Sequence, residues 1–311
     1  MTALDTDQAA VATPRAARRP AGSGRQLLKT EASKGWALMS PALLTIVVGL
    51  GGPIVMLLLY SFWTQHYIEI DHTPTFANYQ QVLTQPIYLN VFLRSILIAA
   101  GATLTTVLIC YPVAYFLAFD VKKHRLVWMV LITLPFWTSY LLRVFTWKII
   151  LGYNGIINSG LKGVGLIDKP LEFLLYNPFA VYLTLVYGWA TFAILPIFVS
   201  LDKIDRSYLE AATDLGDTAV ERFWRITFPL SLPGVIAAFL VIFIPTVGDY
   251  VTPQLVGGPD GLMIANIIQS QFGKANNFPL GAALSITSMV VVTLIAVGFV
   301  WMSRRVTERI G

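Results

Sequence analysis

Asp249 and Arg143 are ionisable side chains set inside apolar runs, in "PTVGDYVTPQLVGG" (245–258) and "LPFWTSYLLRVFTWKIILG" (134–152). A charge in such a place faces a water-lined cavity or a partner. Two chemistries fit. Asp249, with the aromatic faces of Trp137, Tyr140 and Tyr250, could line a path for an organic cation. Alternatively, Arg143 pairs with Asp249 or snorkels outward for structure alone, and facing the same cavity it would repel a polycation. Little other chemistry is available. Cys110 is the single cysteine and lies in an apolar run, where a small packed thiol is expected rather than a nucleophile. His66, His72 and His124 have no metal-ligand spacing, so no metal site is expected. No stretch matches G-x-x-x-x-G-K-[ST], so no phosphate-cradling loop is present and the chain is not expected to be an enzyme.

The elements that hold these residues are written in the composition. The chain is 56% hydrophobic and 13% charged, an oilier balance than soluble domains carry. About 20 mostly apolar residues are needed to cross a bilayer core. Six segments qualify: 36–62, 91–118, 126–151, 178–200, 234–255 and 281–302. Pro53, Pro135 and Pro245 interrupt three of them, and each reads as a kink. At 1.5 Å per residue, Arg143 lies roughly 26 Å from the start of its span at Leu126. Asp249 lies roughly 24 Å beyond Pro233, so both belong toward the outer third of the membrane.

Basic residues mark the cytoplasmic side. With the N-terminus inside, six Lys and Arg fall in residues 1–35, three in 122–125, four in 201–233 and three after 303. Only Lys162, Lys169 and Lys274 fall in the outer loops. Both termini are therefore expected in the cytoplasm. Residues 1–35 read as a disordered basic tail without the apolar core of a signal peptide, and 303–311 as a short C-terminal tail. The tail explains most of the net charge of +5, so nucleic-acid binding is not expected.

The stretch "EAATDLGDTAVERFWRITFP" (210–229) is the charged exception, within the longest cytoplasmic loop, 201–233. It reads as two short helices. Ser207 with Glu210, and Thr218 with Glu221, have the spacing of capping boxes. Gly216 stands where a left-handed residue ends the first helix, and Pro229 and Pro233 mark the return to the membrane. An interfacial helix pair anchored by Phe223 and Trp224 would explain the apolar residues.

The spacing Glu210-Ala211-Ala212, Gly216, Ile226, Pro229 resembles the loop motif shared by membrane subunits of prokaryotic ABC importers. Phe228 stands where that pattern usually has Leu, a change that keeps an apolar contact. The resemblance implies an all-α, six-helix integral membrane protein of the plasma (inner) membrane of a prokaryote. It implies that Glu210, Ala211, Ala212, Gly216, Ile226 and Pro229 couple this chain to a separate ATP-binding subunit. Two such subunits, a second and non-identical permease chain and an extracytoplasmic solute-binding protein would complete the assembly. No cofactor would sit on this chain, ATP being used by the partner. Residues 126–302 are also similar to permeases of the spermidine/putrescine importer family, which implies a small organic solute, a polyamine among the candidates. The competing expectation is a secondary transporter driven by an ion gradient, which leaves the 210–229 spacing unexplained and for which no internal repeat is evident.

Overall fold

The computed structural model describes residues 23–67, 69–121 and 123–310. The chain divides into two units, one ending at Val55 and the other beginning at Met56. The tail expected over residues 1–35 lies outside the described residues as far as residue 22. From Ser23 it is helical instead, because Gln26 to Ala32 are, Thr30 apart, good helix formers with no glycine or proline among them. This helix, α1 (Ser23–Ile46), carries Pro41 and continues into a π-helical turn, Val47–Gly51, and then α2 (Gly52–Ser61). The glycines of "GLGGP" thus widen one turn and leave the helix unbroken. Residues Ser33–Ser61 are long and apolar enough to cross a membrane.

The second unit opens with a hairpin absent from the all-α expectation. Strand β1 (Thr64–His66) pairs antiparallel with β2 (Glu69–Asp71), Thr64 opposite Asp71. Helices follow: α3 (Ala77–Thr84), α4 (Pro86–Phe119), α5 (Arg125–Thr133), α6 (Tyr140–Leu151), α7 (Ile156–Gly163) and α8 (Pro178–Asp202). After them come α9 (Arg206–Asp214), α10 (Ala219–Arg222), α11 (Phe228–Val247), α12 (Val251–Val256), α13 (Ile264–Gly273) and α14 (Phe278–Ile310). The expected C-terminal tail therefore continues α14 as helix through Ile310.

Among the described residues, five helical segments qualify as spans by length and composition, and a sixth is a pair of legs. Arg125–Trp137 and Tyr140–Gly163 meet at 83°, so Pro135 marks a break where a kink was expected. The cause is local. A tight 3-10 turn, Leu134–Trp137, contains the proline, and Thr138 and Ser139 then adopt extended ψ angles of 149° and 136°. The Thr138 hydroxyl donates to the Pro135 carbonyl at 2.7 Å, which closes the turn. This bend invalidates the straight-helix depth of Arg143. The fifth span also departs from expectation: Pro245 stays inside α11, and the helix stops two residues later, at Val247.

α4, α8 and α11 form the packed centre. Leu117, Ile197, Leu201 and Ile242 are buried in one cluster, and Phe243, Val247, Ile264 and Leu284 in a second that α13 and α14 help to close. A third joins Ile98 and Ala102 of α4 to Val144, Val181 and Val256. Helices in lipid gain little from hydrophobicity alone, so small residues and hydroxyls decide how closely they pack. A Cβ on Gly234 would lie 2.5 Å from the Pro196 carbonyl oxygen and 2.5 Å from Ser200 Cβ, so only glycine permits α11 to approach α8 there. Tyr111 and Ser231 share a hydrogen bond of 2.7 Å between α4 and α11.

Candidate functional site

The charged loop between α8 and α11 is built from caps. Asp205 is the N-cap of α9, its carboxylate accepting from the Ser207 N–H at 3.0 Å. The helix thus starts at Asp205, two residues before the expected Ser207 box, because the aspartate reaches the free amide first. These bonds hold the Asp205 carboxyl below its ordinary pKa. At the other end Gly216 has φ +91°. Its N–H donates to the Thr213 carbonyl, and the Asp217 N–H donates to the Ala212 carbonyl, both at 3.0 Å. These are the two bonds of a Schellman turn, which needs a left-handed residue at this position.

Thr218 then caps α10 as expected. Its hydroxyl accepts from the Glu221 N–H at 3.3 Å, and the Glu221 carboxylate accepts from the Thr218 N–H at 2.9 Å. The Thr218 amide, and after it the hydroxyl, lower the Glu221 pKa. Two arginines tie the helices together. Arg225 pairs with Asp217 at 2.8 Å, and Arg222 donates to Thr213 Oγ1 at 2.6 Å.

The loop is seated under the C-terminal end of α4. Arg206 donates to the Phe119 carbonyl at 3.1 Å, and Arg125 donates to the Ala118 carbonyl at 2.7 Å while pairing with Asp202 at 2.6 Å. Cations are favoured at that helix end. Phe223 stands edge-on to Tyr111, with ring centroids 5.7 Å apart, which turns one loop aromatic inward. Of the motif residues, Ala212 is buried, Ile226 and Pro229 are half-buried, and Glu210, Ala211 and Gly216 are exposed. Tyr208, Leu215, Val220 and Trp224 are exposed beside them, Leu215 by 87%. A rigid, capped helix pair with an apolar outer surface can receive a soluble partner. A cavity of about 750 Å³ adjoins this loop between Pro196, Ser200, Tyr208 and Pro233.

At the opposite ends of α8 and α11 the two helix breaks meet. Tyr140 opens α6 just after the bend and donates its hydroxyl to Asp249 Oδ2, with Thr252 Oγ1 also 2.6 Å away. Asp249 Oδ1 accepts from the N–H groups of Val251 and Thr252 at 2.8 and 3.2 Å, so the carboxylate caps α12. Asp249 is 8% exposed. Arg143 and Asp249 form no ion pair. The guanidinium lies over the rings of Phe136 and Tyr140, 5.3 and 5.5 Å from their centroids, and donates to the Gly188 carbonyl at 3.1 Å. Tyr140 stands between the two charges. Trp137, 81% exposed, and the half-exposed Tyr250 have no ring or side-chain hydrogen-bond contact with this set among the described residues.

Sequence reasoning missed what fixes this end. Arg94 donates to the carbonyls of Asp260 and Leu262, Ser95 Oγ accepts from the Ile264 N–H at 2.8 Å, and Asn266 donates to the Tyr250 carbonyl at 2.7 Å. One available signal was Arg94 itself, a cation beside an apolar run that had to find acceptors.

The profile of the family described as "Binding-protein-dependent transport system inner membrane component" matches residues 32–308. The Spermidine/putrescine transport system permease protein PotB of Escherichia coli (strain K12) is 36% identical over 258 residues, 83% of this chain and 93% of that protein. The Inner membrane ABC transporter permease protein YdcU of the same organism is 29% identical over 256 residues, 78% and 81% of the two chains. One chain of the bacterial alginate ABC transporter, solved in complex with an alginate pentasaccharide-bound periplasmic protein, matches with a TM-score of 0.71. It is 18% identical, and the match covers 90% of this chain and 96% of that one, a likeness of fold.

Proposed function

We infer function from one premise: this chain belongs to the family of binding-protein-dependent transport system inner membrane components. It is a multi-pass permease subunit of an ABC importer and not itself an enzyme. The gradient-driven alternative has no support, since the family match covers nearly the whole chain.

Within that role, loop 201–233 is the coupling element. It docks on an ATP-binding subunit and passes its movement to α8 and α11. The observation that carries this reading is the Schellman turn at Gly216, which joins two capped helices and leaves Tyr208, Leu215, Val220 and Trp224 exposed. Two ATP-binding subunits bind ATP in the cytoplasm, and no cofactor sits on this chain. A second, non-identical permease chain completes the pathway, and an extracytoplasmic protein delivers solute. Both termini lie in the cytoplasm of a prokaryotic cell.

The solute is a small organic molecule. The similarity to PotB favours a polyamine. Trp137, Tyr140 and Tyr250 border its path where the spans break. Asp249 acts there through Tyr140, its other oxygen being held by α12.

Site-directed crosslinking tests the docking role. A cysteine replacing Leu215, with Cys110 changed to serine, should crosslink to the ATP-binding subunit in native membranes. A cysteine replacing Thr73, beside the hairpin, should not. Equal yields from both positions would remove the docking role.

A further inference from the structure

We propose that Arg143, Trp147 and Tyr187 form a binding site for an oxyanion, a carboxylate or a phosphate, in the cavity between α6 and α8. The cavity measures about 290 Å³, with Pro135 and Ile150 supplying apolar wall. That is near the lower end of small-ligand pockets, about 300 Å³.

The wall offers donors. Thr138 and Thr146 also line it, but their hydroxyl protons are committed to the carbonyls of Pro135 and Leu142, at 2.7 and 2.8 Å. The indole N–H of Trp147 and the hydroxyl of Tyr187 meet no hydrogen-bond partner among the described residues, and their rings pack 5.3 Å apart. Indole and guanidinium can only donate. Arg143 contributes the charge. Its Nη1 reaches the Gly188 carbonyl, and its buried Nε has no partner.

No carboxylate of the described residues lies within ion-pair distance of Arg143. The oxygens of Asp249 are engaged by Tyr140, Val251 and Thr252. The flanking rings of Phe136 and Tyr140 stabilise the cation but do not neutralise it. A cation in a membrane-spanning segment with free donors beside it calls for an anion.

Two sources supply that chemistry. A polyamine carries no oxyanion, so in a polyamine importer the occupant is a lipid headgroup phosphate. In an importer of a carboxylated solute, the occupant is the cargo. The site is independent of the docking role of loop 201–233.

The test uses the whole transporter, this chain with its partner permease and ATP-binding subunits, in detergent and chloride buffer at fixed ionic strength. Succinate and dihexanoyl phosphatidylglycerol are titrated separately by calorimetry. One of them should bind saturably. Arg143→Gln should weaken that binding about tenfold or more, the loss of a charge-assisted hydrogen bond. Arg143→Lys should retain part of it, and Tyr187→Phe should weaken it severalfold. Binding of succinate alone assigns the site to a solute, and binding of the lipid alone assigns it to a headgroup. Saturable binding of neither probe overturns the proposal, as does wild-type affinity in Arg143→Gln. If Arg143→Gln does not assemble, unchanged affinity in both Arg143→Lys and Tyr187→Phe overturns it.

Discussion

Single residues set the conformations on which both ends of the molecule depend. Tyr140 touches Asp249, Thr252 and the Arg143 guanidinium. Tyr140→Phe leaves a buried carboxylate oxygen without its side-chain donor, at a cost of about 1–3 kcal/mol. The melting temperature of the purified transporter should fall, and Arg143→Lys, which keeps the charge, should lower it less. On the loop, hydrogen bonds from Ser207 and Thr218 depress the pKa values of Asp205 and Glu221. A depressed carboxylate contributes stability above its unfolded pKa, about 4, and loses it as pH falls through the folded value. Hydrogen exchange in α9 and α10, corrected for intrinsic rates, should therefore be flat from pH 8 to 5 and rise only in more acidic buffer. Gly216 and Thr218 were legible in the sequence because caps are local. Tyr140 was grouped with Asp249 as lining of a path, but the hydrogen bond between them was not legible. Tyr140 lies more than a hundred positions away, and the bend at Thr138 brings its hydroxyl there.

Elements carry these residues, and the contrast between α5–α6 and α11 shows what hydropathy can reveal. Both sequences have a proline in an apolar run, and both were expected to kink. Pro135 precedes Thr138 and Ser139, whose extended backbone ends the helix, and the next leg leaves at 83°. Pro245 precedes only Thr246 and Val247 within α11, and Gly248 ends it. The outcome depends on the residues after each proline and on what the freed backbone can bond, which hydropathy averages away. Small residues at helix contacts are equally silent until the partner helix is known. Gly234 is the clearest case. Gly234→Leu should drive α11 away from α8, because Pro196 and Ser200 already occupy the space a Cβ would need. The expected result is reduced yield of assembled transporter and a lower melting temperature, measured by size-exclusion chromatography and thermal scanning. An unchanged melting temperature would show that the two helices can separate without loss.

At the scale of the whole molecule, two ends are built differently. Tyr140 and Asp249 meet at one end of α8 and α11, and the capped loop closes the other. Length and hydropathy were enough to locate four spans to within about five residues, while the broken third and the fifth, Ala219–Val247, differ by more. The charge pattern was enough to propose which end faces the cytoplasm. That orientation predicts a labelling pattern. In a Cys110→Ser background, a cysteine replacing Thr73 should react with an impermeant maleimide in intact cells, and one replacing Asp214 only after permeabilisation. The reverse pattern would invert the topology.

The central claim is that the 210–229 insert grips an ATP-binding subunit through the turn at Gly216. A Cβ there would touch nothing within 4 Å, so a substitution acts through the backbone alone. A left-handed β-branched residue costs about 1–2 kcal/mol, whereas asparagine is tolerated. The direct measurement is recovery of the ATP-binding subunit with the tagged chain from mild detergent, quantified by mass spectrometry for wild type, Gly216→Asn and Gly216→Val. The account predicts full recovery with wild type, near-full recovery with asparagine and a severe loss with valine at equal membrane yield. Equal recovery with all three, or no ATP-binding subunit with the wild type, would contradict it.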